Sequence, residues 1–436
     1  MKKILLLSYI LCLTTGLSAQ TEEEELFALL KPVGTDQADS VARDSAIAAM
    51  PWPSNVQARL DLLMGEPLLK KTQLGLLVYD LTADSAIYKC GEQQTLRPAS
   101  TMKLVTAITA LDKLGGGYQF RTSLYYTGKV SNRTLCGNLY CVGGMDPLFD
   151  INDLRDFIER LRRLQIDTLR GSIVTDLSMK DELKWGEGWC WDDDNPTLSP
   201  LLIGRRPNFA ERFINELTAA GIVLDSLTWF DDYTPSDATL VATCYHNIDQ
   251  LLLRMMKESD NLYAECLYYQ LAAHFGYRPA RASYARSQEK QLVTHLGLNA
   301  GDYRFADGSG LSLYNYVSPE LLTLLLRHAW RQPALYSHLL PSLPVAGEDG
   351  TLKKRMKNTA AQGNVRAKTG TLTGIISLAG YLTASNGHEL CFAIIHQGVL
   401  RSSEARTLHD RLCITMCGGE ILQETEAKTK TKKRRK

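Results

Sequence analysis

The chain has 436 residues, of which 44% are hydrophobic and 22% are charged, and this composition predicts a folded protein with room for two domains. The formal net charge is +1, and seven positive charges lie within residues 428–436, so the rest of the chain is slightly acidic. This distribution excludes the broad basic surface that is typical of nucleic-acid-binding proteins.

Both ends of the chain carry sequence features that bear on where the protein is located. Lys2 and Lys3 precede a mostly apolar run from Ile4 to Leu17, and the small residue Ala19 follows at a predicted cleavage site. We therefore predict a signal peptide over residues 1–19 and an exported protein of the periplasm or cell envelope, with an uncleaved N-terminal anchor as the alternative. The basic tail, residues 428–436, is either a solvated end or a peripheral contact to anionic envelope polymers or lipid heads.

Ten cysteines are present, and nine remain without Cys12, which lies in the apolar run. An odd number cannot pair completely within one chain. Cys136 and Cys141 flank Gly137-Asn138, a predicted two-residue hairpin turn that would leave their sulfurs diagonal to one another, which is poor disulfide geometry. We expect mostly unpaired cysteines and, without a CxxC or HExxH spacing, no metal site.

The elements are predicted in chain order from apolar periodicity and from the residues that start and stop helices and strands. Strands are expected at 73–80 and 85–88, a helix begins near Ser100 and stops before Gly115, and a middle block contains a hairpin, two helices and further strands. Later come a helical region interrupted near Ser259, a helix at 319–330, strands at 375–382 and 389–396, and a last helix at 403–416. We predict a discontinuous domain of residues 20–120 and 241–427, into which residues 121–240 are inserted as a smaller domain.

The segment Ser100-Thr101-Met102-Lys103 opens the first long helix. Residues three apart share one face of a helix, so the Lys103 amine is expected beside the Ser100 hydroxyl. A serine is a weak nucleophile until a base takes its proton, and a lysine whose pKa is lowered by burial can be that base. Alone the motif is weak, because Ser287 and Lys290 repeat it and because a helix cap is the commoner role of such a serine.

A second candidate is Ser259-Asp260-Asn261, which interrupts a helical pattern and is expected on a turn between two helices. Ser259 can relay a proton between Lys103 and a leaving amine, and Asn261 can hold the lysine and a substrate amide. A helix cap is the alternative interpretation.

The third candidate is Lys368-Thr369-Gly370-Thr371, which is expected to begin a strand. Lys368 supplies a second positive charge that helps keep Lys103 neutral, and Thr369 can bind a terminal carboxylate. Gly370 lets the backbone approach a substrate closely, and the N–H groups of Thr371 and Ser100 can form an oxyanion hole. Alone, this segment is also typical of an ordinary turn.

SxxK, SDN and KTG in this order are a recognised signature of penicillin-binding proteins and serine β-lactamases. The flanking sequences narrow the likeness, because the chain from about Leu76 to about His396 resembles the D-alanyl-D-alanine carboxypeptidase/endopeptidase family, the low-molecular-mass class C penicillin-binding proteins. The segments that carry this resemblance are RPASTMKLVTAITALDKLG, GNLYCVGGMDP, GWCWDDDNP, DGSGLSLYNYVS, LPVAGEDGTLKKR and VRAKTGTLTGIISLAGY.

The resemblance implies an α+β, penicillin-binding/serine β-lactamase-like fold, in which helices cover an antiparallel sheet and a smaller domain is inserted. It also implies an enzyme that hydrolyses D-Ala-D-Ala bonds of peptidoglycan stem peptides, or their cross-links, through an acyl-enzyme on Ser100. Neither a cofactor nor a metal is implied, and β-lactam antibiotics are expected to be covalent inhibitors.

Departures from the family pattern concern substrate contacts and the insert, which is expected to be shorter than in most relatives. Leu313 stands where relatives usually have arginine, so we predict weakened dependence on the carboxylate of the substrate's side-chain terminus. Asp146, in GGMDP, is expected to reach the site from the insert and bind the amine of a diamino acid. Its alternative role is a turn cap before Pro147.

Two other functions compete with this interpretation. A serine β-lactamase-like hydrolase uses the same motifs, and Glu211 and Asn215 match one of its further patterns, although they precede the SDN motif. A non-catalytic penicillin-binding envelope protein would have no need of Lys103 or Asn261. The balance between carboxypeptidase and endopeptidase activity stays open at this stage.

Overall fold

The computed structural model describes residues 37–193, 195–276 and 278–418. The predicted signal peptide and the basic tail lie outside the described residues. One compact unit contains helices α1 (Gln37–Ala48) and α2 (Ser54–Met64), and a second unit contains the described residues from Leu68 onward. Across the described ranges, every helix is too short or too polar to cross a membrane.

The second unit contains an antiparallel sheet built from strands near both ends of the chain. They are ordered β10-β11-β12-β1-β2, and Gln73 at the start of β1 pairs with Gln397 at the end of β12. The long strands are buried along nearly their whole length, which requires cover on both faces because successive side chains point to opposite sides. The strands are β1 (Gln73–Asp80), β2 (Ser85–Cys90), β10 (Arg366–Leu372), β11 (Ile375–Thr383) and β12 (Glu389–Gln397).

Helices supply this cover and confirm the expected α+β fold. Helix α9 packs on β12 and α11 packs on β11, while α3 lies among α7, α8 and α9 and is buried from Met102 to Leu111. The helices of this layer are α3 (Met102–Leu114), α6 (Ile248–Lys257), α7 (Asn261–His274), α8 (Ala282–His295), α9 (Pro319–Trp330), α10 (Pro333–Ser342) and α11 (Ser402–Met416).

A second sheet lies between Gln119 and Asn247 and has a hydrophobic cluster of its own, formed largely with helices α4 and α5. This separate core supports our proposal that residues 121–240 form an inserted domain. Its elements are β3 (Gln119–Tyr126), β4 (Lys129–Ser131), β5 (Thr134–Cys136), β6 (Leu139–Val142), α4 (Ile151–Arg163), β7 (Thr168–Asp176), α5 (Phe209–Ala219), β8 (Val223–Asp231) and β9 (Thr239–Asn247).

The predicted hairpin at Gly137-Asn138 is wrong. Strands β5 and β6 both pair in parallel with β7 and not with one another, and Asn138 accepts a hydrogen bond of 2.9 Å from the Ser172 backbone on β7. The hairpin joins β4 to β5 instead, through Asn132 and Arg133, whose φ angles of 49° and 61° suit a type I′ turn. Among the described residues, free thiols agree with the expectation of mostly unpaired cysteines; they are those of Cys136, Cys141, Cys190, Cys244, Cys266, Cys391, Cys413 and Cys417.

Candidate active site

Ser100 lies in a short 3₁₀ turn, Ala99–Thr101, that leads directly into α3. Ala99 adopts a φ of 48°, an uncommon conformation for a residue with a side chain. The turn is held because the Pro98 carbonyl accepts hydrogen bonds from Thr101 Oγ1 at 2.7 Å and from Ser377 Oγ on β11 at 2.6 Å. These bonds attach the turn to the first sheet and leave the Ser100 side chain partly exposed.

The Lys103 side chain is fully buried beside Ser100. Its Nζ lies 3.0 Å from Ser100 Oγ, and it donates to Asn261 Oδ1 at 2.7 Å and to the Ser309 carbonyl at 2.8 Å. Burial lowers the pKa of Lys103 to about 8, although nearby carboxylates, Asp307 first, oppose the shift. A fraction of the lysine is therefore neutral near pH 7 and can accept a proton.

Ser259, Asp260 and Asn261 form the turn between α6 and α7, as the sequence predicted. Ser259 has a φ of 59°, and Asp260 caps α7 by accepting from the Leu262 backbone at 3.1 Å. The other Asp260 oxygen binds two arginines, Arg205 and Arg254, at 2.9 and 3.0 Å. Asp260 thus holds the turn, while its two neighbours face the lysines.

Lys368 lies within β10 and is fully buried. Its Nζ donates to Ser259 Oγ at 2.8 Å and to the Thr369 carbonyl at 2.7 Å. Burial, reinforced by the positive charge of Lys103, lowers the pKa of Lys368 well below its usual range. The positive charge of each lysine destabilises the protonated form of the other, so the two lysines oppose each other's protonation.

The remainder of the KTGT segment runs beside the Ala99–Thr101 turn, which contains Ser100. Gly370 is buried against this turn, and a side chain there would collide with it. Thr369 Oγ1 donates to Thr351 Oγ1 at 2.7 Å, and Thr371 is exposed on the same strand. The three predicted motifs therefore meet at one edge of the first sheet.

A fourth segment, residues 307–318, completes the cluster; it carries part of the family resemblance and contains Leu313, but the sequence gave Asp307 and Ser309 no predicted role. The Asp307 carboxylate lies at the centre of a buried loop and accepts hydrogen bonds from Trp189 Nε1, Ser309 Oγ, Asn315 Nδ2 and the backbone N–H groups of Gly310 and Ser312. This loop holds the Ser309 carbonyl against Lys103. The Asp-Gly-Ser-Gly run was the available signal, because a glycine-rich loop with one carboxylate is typical of a tightly held turn.

Two buried carboxyl groups lie behind the lysine. Glu265 on α7 accepts from the Ser309 backbone at 2.8 Å, and burial raises its pKa to about 8. Glu289 on α8 accepts from Thr106 at 3.3 Å, and burial raises its pKa well above the usual range. Glu265 therefore fixes the loop whose carbonyl binds Lys103.

Two competing sequence patterns lie on solvent-facing helix surfaces. Ser287 and Lys290, which repeat the SxxK spacing, are both exposed on α8. Glu211 and Asn215 are exposed on α5, the helix that shares a hydrophobic cluster with the second sheet. None of these four residues has the enclosed position that a lysine base or a deacylating glutamate requires.

Asp146 lies in the inserted segment and both of its carboxylate oxygens have partners. Its side chain is fully buried, one oxygen accepts from the Leu148 backbone at 3.0 Å, and the other lies 2.7 Å from His246 Nδ1. Binding a substrate amine would require breaking this pair. The bond to Leu148 fits the alternative that the sequence left open, a cap of the turn around Pro147, and the amine-binding role stays a prediction.

A cavity of about 590 Å³ lies where β1 and β11 begin. Lys70, Lys71 and Arg97 line it together with Leu313, and none of the described residues lining it is acidic. Arg97 Nε donates to the Leu313 carbonyl at 3.0 Å, so a guanidinium lies next to the position where relatives usually have arginine.

Taken with the fold, this arrangement defines the class of protein, a serine hydrolase of the penicillin-binding type. A hydroxyl beside a buried lysine of lowered pKa, with a second lysine–serine pair next to it, offers a candidate nucleophile and candidate proton carriers for acyl transfer. The family model of the D-Ala-D-Ala carboxypeptidase 3 (S13) family matches residues 56–201 and 206–415, so the chain belongs to this family.

Individual proteins agree with this assignment. D-alanyl-D-alanine carboxypeptidase DacB of Haemophilus influenzae is 23% identical over a match of 411 residues. The match covers 75% of this chain and 86% of the relative. The D-alanyl-D-alanine carboxypeptidase of an Actinomadura species is 26% identical over 439 residues, with coverages of 78% and 80%.

Solved structures share the fold. Penicillin binding protein 4 of Haemophilus influenzae matches with a TM-score of 0.73 and 24% identity over 81% of this chain and 97% of that one. A predatory peptidoglycan endopeptidase from Bdellovibrio bacteriovorus matches with a TM-score of 0.54 and 19% identity, over 82% and 96%.

Proposed function

We propose that this protein is a serine-type D-alanyl-D-alanine carboxypeptidase/endopeptidase, which hydrolyses peptidoglycan stem peptides or their cross-links, and that Ser100 is its nucleophile. The observation that carries the proposal is the position of Lys103 Nζ, which lies within hydrogen-bond distance of Ser100, Asn261 and the Ser309 carbonyl at once. The family assignment supports the same function.

The partners of Lys103 favour its action as a base. A neutral amine has two N–H groups and one lone pair. The Asn261 side-chain oxygen and the Ser309 carbonyl can only accept, so they take the two N–H groups. The lone pair is then directed at Ser100 Oγ, and the serine hydroxyl can donate its proton to it.

Acylation follows from this orientation. Ser100 Oγ forms a bond to the carbonyl carbon of the penultimate D-alanine while its proton passes to Lys103. Ser259 Oγ accepts a hydrogen bond from Lys368, so its own proton remains available for the leaving amine of the terminal residue. The carbon–nitrogen bond breaks, and Ser259 recovers a proton from Lys103.

Hydrolysis of the acyl-enzyme returns the enzyme to its starting state. A water molecule takes the place of the leaving amine and bonds to the acyl carbon while its proton passes through Ser259 to Lys103. The ester bond to Ser100 then breaks, Lys103 returns the proton to Ser100 Oγ, and the peptide leaves as a carboxylic acid. We propose that the backbone N–H groups of Ser100 and Thr371 stabilise the oxyanion in both steps. Thr369 and Gly370 hold the substrate strand and its terminal carboxylate.

Peptidoglycan stem peptides ending in D-Ala-D-Ala are the proposed substrates, and β-lactams are the proposed covalent inhibitors. The names of the curated relatives support the substrate class. A solved structure of the Haemophilus influenzae protein contains a β-lactam, which supports the second part. The exported location follows from the predicted signal peptide and fits a cell-wall substrate.

The cavity beside Leu313 changes our expectation about specificity. The sequence suggested weak recognition of the substrate's side-chain carboxylate, because Leu313 replaces an arginine. Lys70, Lys71 and Arg97 bring cations to the same place. We therefore propose that Arg97, assisted by Lys71, binds this carboxylate, since charge-assisted hydrogen bonds contribute about 1.5–3 kcal/mol.

The nucleophile is tested by intact-protein mass after treatment with penicillin. We expect one covalent adduct in the wild-type protein and none in Ser100→Ala. Ser287→Ala is the matched control, because it removes the exposed copy of the motif and should leave the adduct unchanged. An adduct that persists in Ser100→Ala, or that disappears in Ser287→Ala, would overturn the proposal.

A further inference from the structure

We propose that Asp153, Cys244 and His246 form a binding site for a transition-metal ion of the Zn²⁺ type, between helix α4 and strand β9 of the second sheet. Cys244 and His246 are two apart on β9, so both side chains point to the same face of the sheet. Helix α4 packs against this strand and contributes Asp153 from its first turn. One ligand atom from each residue lies within 4.8 Å of the other two.

The orientation of the histidine supports this site. His246 Nδ1 lies 2.7 Å from the fully buried Asp146 carboxylate, which holds the proton on Nδ1. Its Nε2 faces Asp153 Oδ2 at 3.7 Å, a distance too long for a hydrogen bond. A histidine whose far nitrogen donates to a buried carboxylate is the arrangement that orients imidazole toward a metal ion.

The type of ion follows from the donor atoms. A thiolate, an imidazole and a carboxylate together favour Zn²⁺ over Mg²⁺ or Ca²⁺, which prefer oxygen ligands alone. Ligand atoms around a four-coordinate Zn²⁺ lie about 3.5 Å apart, given metal–ligand bonds of roughly 2.0–2.3 Å. The Nε2–Oδ2 distance of 3.7 Å is close to this value. Cys244 Sγ lies 4.0 Å from the other ring nitrogen, Nδ1, so its side chain must move toward Nε2 when an ion binds. Water can supply the fourth ligand.

The surroundings admit a cation and favour it. All three ligand residues are partly exposed, so an ion can enter from solvent. Asp150 caps α4 close to the ligands and adds negative charge to that of Asp146 and Asp153. A bound ion would join the start of α4 to the end of β9, which are separated by about ninety residues of chain.

Titration with Co²⁺ tests the site in the mature full-length protein after removal of metals by chelation. We expect uptake of a single ion, with a thiolate-to-cobalt band in the near ultraviolet and visible bands typical of four-coordinate Co²⁺. Zn²⁺ should displace the cobalt and raise the melting temperature of the protein, because an ion that binds only the folded state stabilises that state.

Variants separate this site from chance binding by other thiols. Cys244→Ser should abolish the thiolate band, and Asp146→Asn should weaken binding at least about tenfold, the usual effect of removing such a supporting carboxylate. Cys136→Ser is the matched control, because Cys136 is an exposed free thiol of the same sheet. Penicillin acylation checks that each variant is folded.

Two results would overturn the proposal. One is an unchanged cobalt spectrum in Cys244→Ser, which would place the ion elsewhere. The other is a wild-type protein without uptake of Co²⁺ or Zn²⁺, in which His246 is simply a protonated imidazole between two carboxylates. Either result would leave the proposed hydrolase function untouched, because none of these residues takes part in acyl transfer.

Discussion

A Cβ atom added to Gly370 would lie 3.0 Å from the backbone nitrogen of Ser100 and 2.1 Å from Ser377 Oγ. The same Cβ would lie 2.8 Å from the Pro98 carbonyl oxygen, and real Cβ atoms essentially never approach backbone atoms under 3.0 Å. Strand β10 and the Ala99–Thr101 turn therefore fit together as they do only when residue 370 is glycine. Ser377 is also the residue that anchors the turn through Pro98. The position of Ser100, the proposed nucleophile, therefore depends on the absence of a side chain at residue 370.

Gly370→Ala should impair acylation strongly. The added methyl group pushes the turn or Ser377 away, and a misplacement of about 1 Å can cost on the order of 100-fold in rate. We expect this loss in the rate constant for penicillin acylation, measured by stopped-flow or quenched mass analysis. Gly117→Ala is the matched control, since nothing lies within 4 Å of its added Cβ. Equal acylation rates in the two variants would contradict the close-contact argument.

Acylation should depend on pH through Lys103, whose pKa is lowered to about 8 by burial. Only the neutral amine accepts the serine proton, so the rate should rise about tenfold per pH unit below pH 8 and level off above it. The measurement is the pseudo-first-order acylation rate from pH 5.5 to 9.5, corrected for the hydrolysis of the antibiotic itself. A rate that falls as pH rises through 8 would show that the protonated lysine is the active form.

Asp307→Ala should destabilise the folded protein. The carboxylate accepts several buried hydrogen bonds, and its removal leaves those donors unpaired at a cost of roughly 3 kcal/mol or more in the free energy of unfolding. Urea unfolding measures this difference. The exposed Asp237 provides a control, because Asp237→Ala should change stability by no more than about 0.5 kcal/mol. Comparable stabilities for the two variants would show that the loop is held by other contacts.

Arg97→Gln should reduce discrimination for the substrate's side-chain carboxylate. We expect wild-type kcat/KM to be at least about tenfold higher on a stem peptide with free meso-diaminopimelate than on one whose side-chain carboxylate is amidated. This ratio should approach one in Arg97→Gln and remain unchanged in Lys354→Gln, which alters an exposed lysine outside the cavity. The ratio cancels effects of the variant on acyl transfer itself. A wild-type ratio near one would exclude a carboxylate-binding role for this cavity.

The Ser100–Lys103 pair is the part of the site that sequence alone determined. The two residues are three apart in the same helical segment, so local geometry places them on one face whatever the rest of the chain does. The inter-helix turn at Ser259 and the strand at Lys368 were likewise local features, and the structure has both where the sequence predicted them. The discontinuous sheet was predicted because strand patterns occur near both ends of the chain.

Tertiary structure decided which of the two SxxK patterns is enclosed and which distant residues complete the site around it. Ser287 and Lys290 have the same helical spacing as the functional pair, yet they are exposed because their face of α8 points to solvent. Asn261 and the Ser309 carbonyl reach Lys103 from 158 and 206 residues away. Asp146 pairs with a histidine one hundred residues later, and the cations beside Leu313 come from separate segments. Burial and contacts over such separations depend on how the whole chain packs, so no spacing within a short motif can reveal them.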